Sequence, residues 1–235
     1  LTKKALLPRV AVITGAGRGI GRATAQAFAS RGIHVALASR TASELAAVEK
    51  DIQASGGRAL AIPTDITLAS QVENLIKETE TSLGPVDLLV NNAGLVERAP
   101  VAETKEESWD RMLDVNLKGA FLCTRAVIPS MKARQCGRVI NVSSIAGKLG
   151  TPHLAPYCAS KWGLIGFTKA TAEELRGDNI QVYAVCPGSV DTEMLRIGLP
   201  GAEPDMSPEA VASLLVYLAM DAPTAMTGAA IDIFG

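Results

Sequence analysis

Arg9-Val-Ala-Val-Ile-Thr-Gly-Ala-Gly-Arg-Gly-Ile-Gly21 decides the fold. Residues 9–14 form a β-branched, apolar run of the kind that fills a buried strand, and they lead straight into a glycine-rich turn. A helix-forming stretch, residues 22–30, follows. Strand, glycine turn and helix in that order make a phosphate-binding unit. Glycines let the backbone approach a pyrophosphate, and the helix N-terminus offers free N–H groups along a favourable dipole. Taken alone, such a turn is also compatible with an ordinary tight connection. The spacing is Gly15-x-x-x-Gly19-x-Gly21, because Ile20 stands where G-x-G-x-x-G needs its third glycine.

Outward from this unit, strand-like runs recur at 10–13, 33–38, 58–62, 86–90, 138–142, 180–185 and 229–233, with helix-like stretches between them. Parallel strands need helical crossovers, which are nearly always right-handed, so the alternation predicts an α/β doubly wound sheet with helices on both faces. Ligands of such sheets bind beyond the carboxyl ends of the strands. Residues 15–21, Arg40, Asp65, residues 91–94, Ser144 and residues 187–192 all follow strand-like runs and are expected to converge on one cleft.

Two further segments carry chemistry: Ser144 in Asn141-Val-Ser-Ser-Ile, then Tyr157 and Lys161 in Pro156-Tyr-Cys-Ala-Ser-Lys. On a helix, Tyr157 and Lys161 share a face, which brings an ammonium within reach of a phenol. Pro156 suits a first helical turn and would place the phenol near that N-terminus. An unperturbed tyrosine titrates near ~10, and a cation together with a helix N-terminus favours the phenolate, so the Tyr157 pKa is expected to fall towards working pH.

Thr14 and the Gly15, Gly19, Gly21 spacing, Asn91-Asn-Ala-Gly94, Ser144, Tyr157, Lys161 and Pro187-Gly188, in that order, resemble the short-chain dehydrogenase/reductase family nearly end to end. The resemblance implies a single-domain Rossmann fold over 1–235, seven parallel strands in the order 3-2-1-4-5-6-7, and a short substrate lid at about 193–208. From residue 196 that stretch is too rich in Pro and Gly for a regular element, and its shortness is expected to leave the pocket more open. The resemblance also assigns roles. Tyr157 is the general acid for reduction and general base for oxidation, Lys161 tunes it and binds the nicotinamide ribose, Ser144 donates to the substrate oxygen, and Asn116 holds a water leading to the lysine. Ser144 is preferred to Ser143 because the family serine stands thirteen residues before the tyrosine.

Cofactor contacts are expected from Gly15, Gly17, Arg18, Gly19, Ile20, Gly21, Ser39, Arg40, Asp65, Ile66, Asn91, Ala93, Gly94, Tyr157, Lys161, Pro187, Gly188, Val190 and Thr192. Asn92 is read as a brace of the sheet, and Asp191 and Glu193 as solvated. After the second strand comes Ser39-Arg40 with no acid to hold a ribose 2′-hydroxyl. Arg40 and Arg18 instead suit a 2′-phosphate, so NADP(H) is the expected cofactor. His153, between Ser144 and Tyr157, is a candidate substrate contact.

Within the family, the chain is similar to 3-oxoacyl-acyl-carrier-protein reductases and related NADP-dependent carbonyl reductases. That similarity implies reduction of a small-molecule carbonyl, possibly carrier-bound, to a secondary alcohol. Basic residues that dock the carrier would fall near Gln135 and Asp178, neither of them basic, with Arg134 and Arg176 as neighbouring substitutes. Tyr183 and the ending Asp232-Ile-Phe-Gly235 also depart from the common pattern. The rival readings are a non-catalytic NADP-binding sensor or scaffold, and a dehydrogenase running towards alcohol oxidation. A homotetramer (or homodimer) is expected, packed through 109–133 and 157–175.

The 235 residues, 48% hydrophobic, suffice for one sizeable core, and a net charge of −1 without a basic block argues against nucleic-acid or membrane-surface binding. Cys123, Cys136, Cys158 and Cys186 show neither paired nor zinc spacing, so no disulfide and no metal is expected. Residues 1–8 lack the apolar run of a secretory signal, and the cytoplasm is the expected compartment. Leu1 in place of Met is read as a start downstream of the natural one.

Overall fold

The computed structural model describes residues 8–235; of the segment read for a secretory signal, only Pro8 falls within the described residues. In chain order come β1 (Val10–Thr14), α1 (Gly19–Ala29), β2 (His34–Ser39), α2 (Ala42–Ala54), β3 (Ala59–Pro63), α3 (Ala69–Ser82) and β4 (Leu88–Asn91). The second half adds α4 (Glu106–Leu113), α5 (Gly119–Arg134), β5 (Gly137–Val142), α6 (Ala155–Leu175), β6 (Ile180–Pro187), α7 (Glu193–Gly198), α8 (Pro208–Met220) and β7 (Ala230–Ile233).

The strands form one sheet in the order β3-β2-β1-β4-β5-β6-β7, every neighbour parallel. Side chains of a strand alternate between faces, and β1 shows why both faces carry helices. Ala11 and Ile13 pack with Phe28 of α1, Leu45 of α2 and Leu215 of α8. Val12 packs on the other side with Leu75 of α3, Val127 of α5 and Leu175 of α6. Strand order reverses between β1 and β4, which opens a crevice at their carboxyl ends.

Most strand boundaries shift by a residue or two from the sequence reading. β4 starts at Leu88, and Asp87 before it turns its carboxylate to the backbone N–H groups of Arg9 (2.8 Å) and Val10 (3.3 Å). The stretch from 196 is not irregular throughout, because its first residues end a helix. Glu193–Gly198 forms a short helix, begun where Thr192 Oγ1 accepts from Leu195 N–H at 3.4 Å. Among the described residues, no helix is long and apolar enough to cross a membrane.

Candidate active site

The crevice is a cleft of about 550 Å³, and its first wall is the glycine turn. Gly15 has φ +65°, and a Cβ on it would lie 2.9 Å from Ala93 Cα. A Cβ on Gly21 would collide with the Gly15 carbonyl oxygen, so this glycine seats α1 against the turn rather than lining the cleft. Thr14 Oγ1 accepts from the N–H groups of Asn92 and Ala93, each at 3.0 Å. Asn92 Nδ2 returns bonds to the carbonyls of Thr14 (3.0 Å) and Gly15 (3.2 Å), pinning the end of β4 to the turn. A backbone cradle results, lined by Gly15, Gly17, Arg18, Gly19 and Ile20 on one side and by Ala93 and Gly94 on the other.

Ser39, Arg40, Asp65 and Ile66 continue that wall. The Ser39 hydroxyl is buried there without a partner. Arg40 forms no ion pair among the described residues. Burial pulls the Asp65 carboxyl up, but bonds from the Thr67 hydroxyl and N–H, with the nearby Arg40 guanidinium, outweigh it and hold the carboxyl below its usual range. Pro187, Gly188, Val190 and Thr192 close the far side.

The chemical end is built on α6. Tyr157 lies in its first turn and is buried; Lys161, one turn on, is 3% exposed, with Nζ 5.7 Å from the tyrosine ring centre. Ser144 and both of these side chains line the cleft. Ser144 Oγ accepts from Ala146 N–H at 3.1 Å, whereas Ser143 Oγ is spent on the Lys161 carbonyl at 3.0 Å. Lys161 Nζ donates to the Val142 carbonyl at 2.9 Å. Burial pushes the Tyr157 phenol up to about 12, against a smaller downward pull from a hydrogen bond with Ser144. Burial also brings Lys161 down to about 8. The phenol is therefore not shifted towards working pH in the free chain, because its loss of water outweighs its favourable neighbours.

Asn116 sits in a π-helical turn, Asp114–Lys118, between α4 and α5. Its Oδ1 accepts from Leu95 N–H at 2.7 Å, and its Nδ2 donates to the Leu95 carbonyl and to Ser160 Oγ, both at 2.9 Å. The side chain thus braces the loop after β4 against α6.

Two expected side chains point elsewhere. Asn91 is buried beneath the sheet, with Nδ2 donating to Asn141 Oδ1 at 2.8 Å and Thr124 Oγ1 at 3.1 Å, and it does not line the cleft. Consecutive residues at a strand end face opposite sides, so Asn92 takes the cleft and Asn91 the core. His153 is exposed at φ +66°, outside the cleft, while Leu154 and Thr151 line it.

Residues missed from the sequence concentrate on α7 and α2. Glu193 is not simply solvated: it pairs with Arg18, and Asp191 pairs with Arg196 at 2.6 Å. Met194 reaches Tyr157, with Sδ 3.9 Å from the hydroxyl, and its methyl would lie 3.3 Å from a Cβ on Gly94. Residues 192–199 all line the cleft. Val96, Ala146, Leu154, Met194 and Leu199 make the wall beside Tyr157 apolar. Glu44 lines the cleft beside Gly17, a placement signalled only by its position one turn into the helix after Arg40. No group of side chains able to hold a metal ion occurs among the described residues.

The glycine cradle, the unpartnered Ser39 hydroxyl and the two arginines fit a dinucleotide, whose reactive end would then stand beside Tyr157 and Lys161. Residues 9–198 match the family model described as short chain dehydrogenase. The chain is 40% identical to 3-oxoacyl-[acyl-carrier-protein] reductase of Synechocystis sp., over 98% of this chain and 97% of that one. It is 37% identical to the enzyme of the same name from Thermotoga maritima, over 97% and 96%. Among solved structures, a substituted actinorhodin polyketide ketoreductase with NADPH superposes with a TM-score of 0.91 at 34% identity, covering 97% of this chain and 96% of that one. Sheet order, cleft and sequence agree: the chain belongs to the short-chain dehydrogenase/reductase family of oxidoreductases.

Proposed function

We propose that the protein is an NADPH-dependent reductase that converts a carbonyl to a secondary alcohol, with a 3-oxoacyl thioester as its leading substrate and small ketones as alternatives. The observation that carries this reading is one continuous cleft holding the glycine cradle, two arginines and the Ser144, Tyr157, Lys161 group, with an apolar wall beside the phenol.

Bound in the cradle, the nicotinamide supplies the hydride; the protein's part is position and proton. Gly15, Gly17, Gly19 and Ile20 accommodate the pyrophosphate by backbone approach, Ser39, Asp65, Ile66 and Ala93 flank the adenosine, and Arg18 with Arg40 meet a 2′-phosphate. Gly94, Pro187, Gly188, Val190 and Thr192 bound the nicotinamide end. Ser144 donates to the substrate oxygen as negative charge grows there, and Tyr157 delivers its proton to that oxygen. The phenol's high pKa keeps the proton in place until it is needed. Lys161 then favours the phenolate that remains, the more so while it carries its charge.

Relatives named for acyl-carrier substrates support the thioester. The surface near Gln135 and Asp178 supports a carrier less, because its cations are already engaged. Arg134 pairs with Asp87 at 2.6 Å, Arg176 with Glu173 at 2.5 Å, and Lys132 with Asp178 at 3.3 Å. Free thioesters and ketones therefore belong on the same panel as carrier-bound ones. We also propose a cytoplasmic protein that is a homotetramer, or else a homodimer; the exposed aromatic side chains of Trp109, Phe121 and Trp162 on α4, α5 and α6 support the association of copies. Sedimentation should show four copies, or else two, and a monomer at working concentration would remove that part.

The test of activity is NADPH oxidation with a panel of 3-oxoacyl thioesters and ketones. Wild type should turn over at least one, and Tyr157→Phe should lose roughly 10²–10⁴-fold in kcat with NADPH binding retained. Binding of NADPH with no Tyr157-dependent turnover on any of the panel would make the protein a cofactor sensor instead.

A further inference from the structure

Among the described residues, four cationic side chains line the cleft: Arg18, Arg40, Lys161 and Arg196. Lys161 is buried at the chemical end, Arg196 is paired with Asp191, and Arg40 has no ion pair among the described residues. Arg18 is held by Glu193, and this pair crosses the cleft from the glycine turn to the first residue of α7. The two segments are also in contact beside the pair: a Cβ on Gly19 would lie 3.2 Å from Thr192 Cγ2. Glu193 is thus an internal anion on one of the two arginines suited to a phosphate of the cofactor.

We infer that Glu193 is a specificity-determining residue that competes with the cofactor's 2′-phosphate for Arg18. The inference rests on the NADP(H) reading. A phosphate carries more charge than a carboxylate and can accept the guanidinium's paired N–H groups, so it wins the exchange. The pair must nevertheless be broken first, and its free energy is subtracted from the binding of the phosphorylated dinucleotide. A dinucleotide with a 2′-hydroxyl leaves the pair in place and bears no such subtraction. Glu193 therefore narrows the preference for NADPH over NADH that Arg18 and Arg40 create. The effect is small by construction, because both side chains are more than half exposed and water screens them.

The experiment measures dissociation constants of NADPH and NADH by fluorescence titration for wild type, Glu193→Gln, Arg18→Ala and the double variant. The glutamine keeps shape and removes charge. Glu193→Gln should tighten NADPH about two- to fivefold, the range of an exposed ion pair, and leave NADH unchanged. In the Arg18→Ala background the same substitution should change neither. The inference is overturned if Glu193→Gln leaves NADPH unaltered, tightens both dinucleotides equally, or acts as strongly without Arg18. Those three results leave the NADP(H) reading standing when wild type still prefers NADPH. A wild type that binds NADH as tightly as NADPH, with Arg18→Ala affecting neither, overturns the cofactor reading and the inference with it.

Discussion

The two ends of the cleft are built from different materials. At the glycine end the shape is set by backbone: Gly15 at φ +65°, Ala93 Cα packed where a side chain on Gly15 would begin, and α1 seated on the turn by Gly21. At the Tyr157 end the shape is set by side chains of Val96, Leu154, Met194 and Leu199, carried on connections rather than on the sheet. Those connections are tied to one another by bonds outside the sheet, such as Arg98 Nη1 donating to the carbonyls of Pro152 (3.3 Å) and Gly198 (3.4 Å). A backbone cradle takes one ligand shape and tolerates little change. A side-chain wall can be recut by substitution, so one fold can keep its cofactor while its substrates vary.

Four measurements would break or sharpen this contrast. The largest effect belongs to Lys161, buried at the chemical end beside Tyr157. It titrates at about 8 in the folded chain against 10.5 when free. Below pH 8 both states carry the charge and the burial cost is complete; between 8 and 10.5 the folded chain sheds its proton first and the cost is relieved. Urea unfolding should therefore show wild type gaining stability with rising pH in that window, by at most roughly 3 kcal/mol, relative to Lys161→Met. Parallel curves for the two proteins would contradict it. Tyr157, raised to about 12, acts with the opposite sign above its free value of 10.0, so the comparison is read below that pH.

At the glycine end, Arg40→Ala should weaken NADPH about ten- to a hundredfold, as loss of a charged hydrogen bond does, with NADH little altered. An unchanged ratio would remove Arg40 from the phosphate site. Gly21→Ala should cost about 1–3 kcal/mol in thermal or urea unfolding, since the added methyl meets backbone that cannot yield. If the variant is as stable as wild type, the turn is more pliant than its contacts imply. At the other end the smallest effect is expected: Met194→Ala should change the kcat/KM ratio between long and short acyl chains by about two- to tenfold, with NADPH affinity constant. A matching change in NADPH affinity would mean that the two ends are not separable.

The same contrast explains what could be read from the sequence. All seven strands were legible because buried parallel strands are nearly continuous apolar runs, whereas their order came from the family resemblance, since right-handed crossovers narrow the orders without choosing one. The glycine turn and the pairing of Tyr157 with Lys161 were legible because spacing places them at a strand end or on one helix face, while the family pattern chose Ser144 over Ser143. Side-chain direction was harder. Asn91 and Asn92 differ by one residue and hence by a whole face of the sheet, while the positive φ of His153 turns it outward. Glu193 and Met194 lie on a helix of six residues, too short to show a period, and their contacts with Arg18 and Tyr157 span 175 and 37 residues of chain. Burial of the tyrosine was also invisible, since the motif names its neighbours and not its solvent.

Asn116 satisfies a stoichiometric condition. Its one amide group accepts from the Leu95 N–H and donates to the Leu95 carbonyl, as a neighbouring strand would, in the loop after β4. Its remaining amide hydrogen goes to Ser160. Aspartate could accept but not donate, leucine could do neither, and glutamine would carry the group one methylene too far. Asparagine is a poor helix former, yet it stands inside a helical turn. The identity of residue 116 is fixed by counting donors and acceptors, against the local preference of the backbone that bears it.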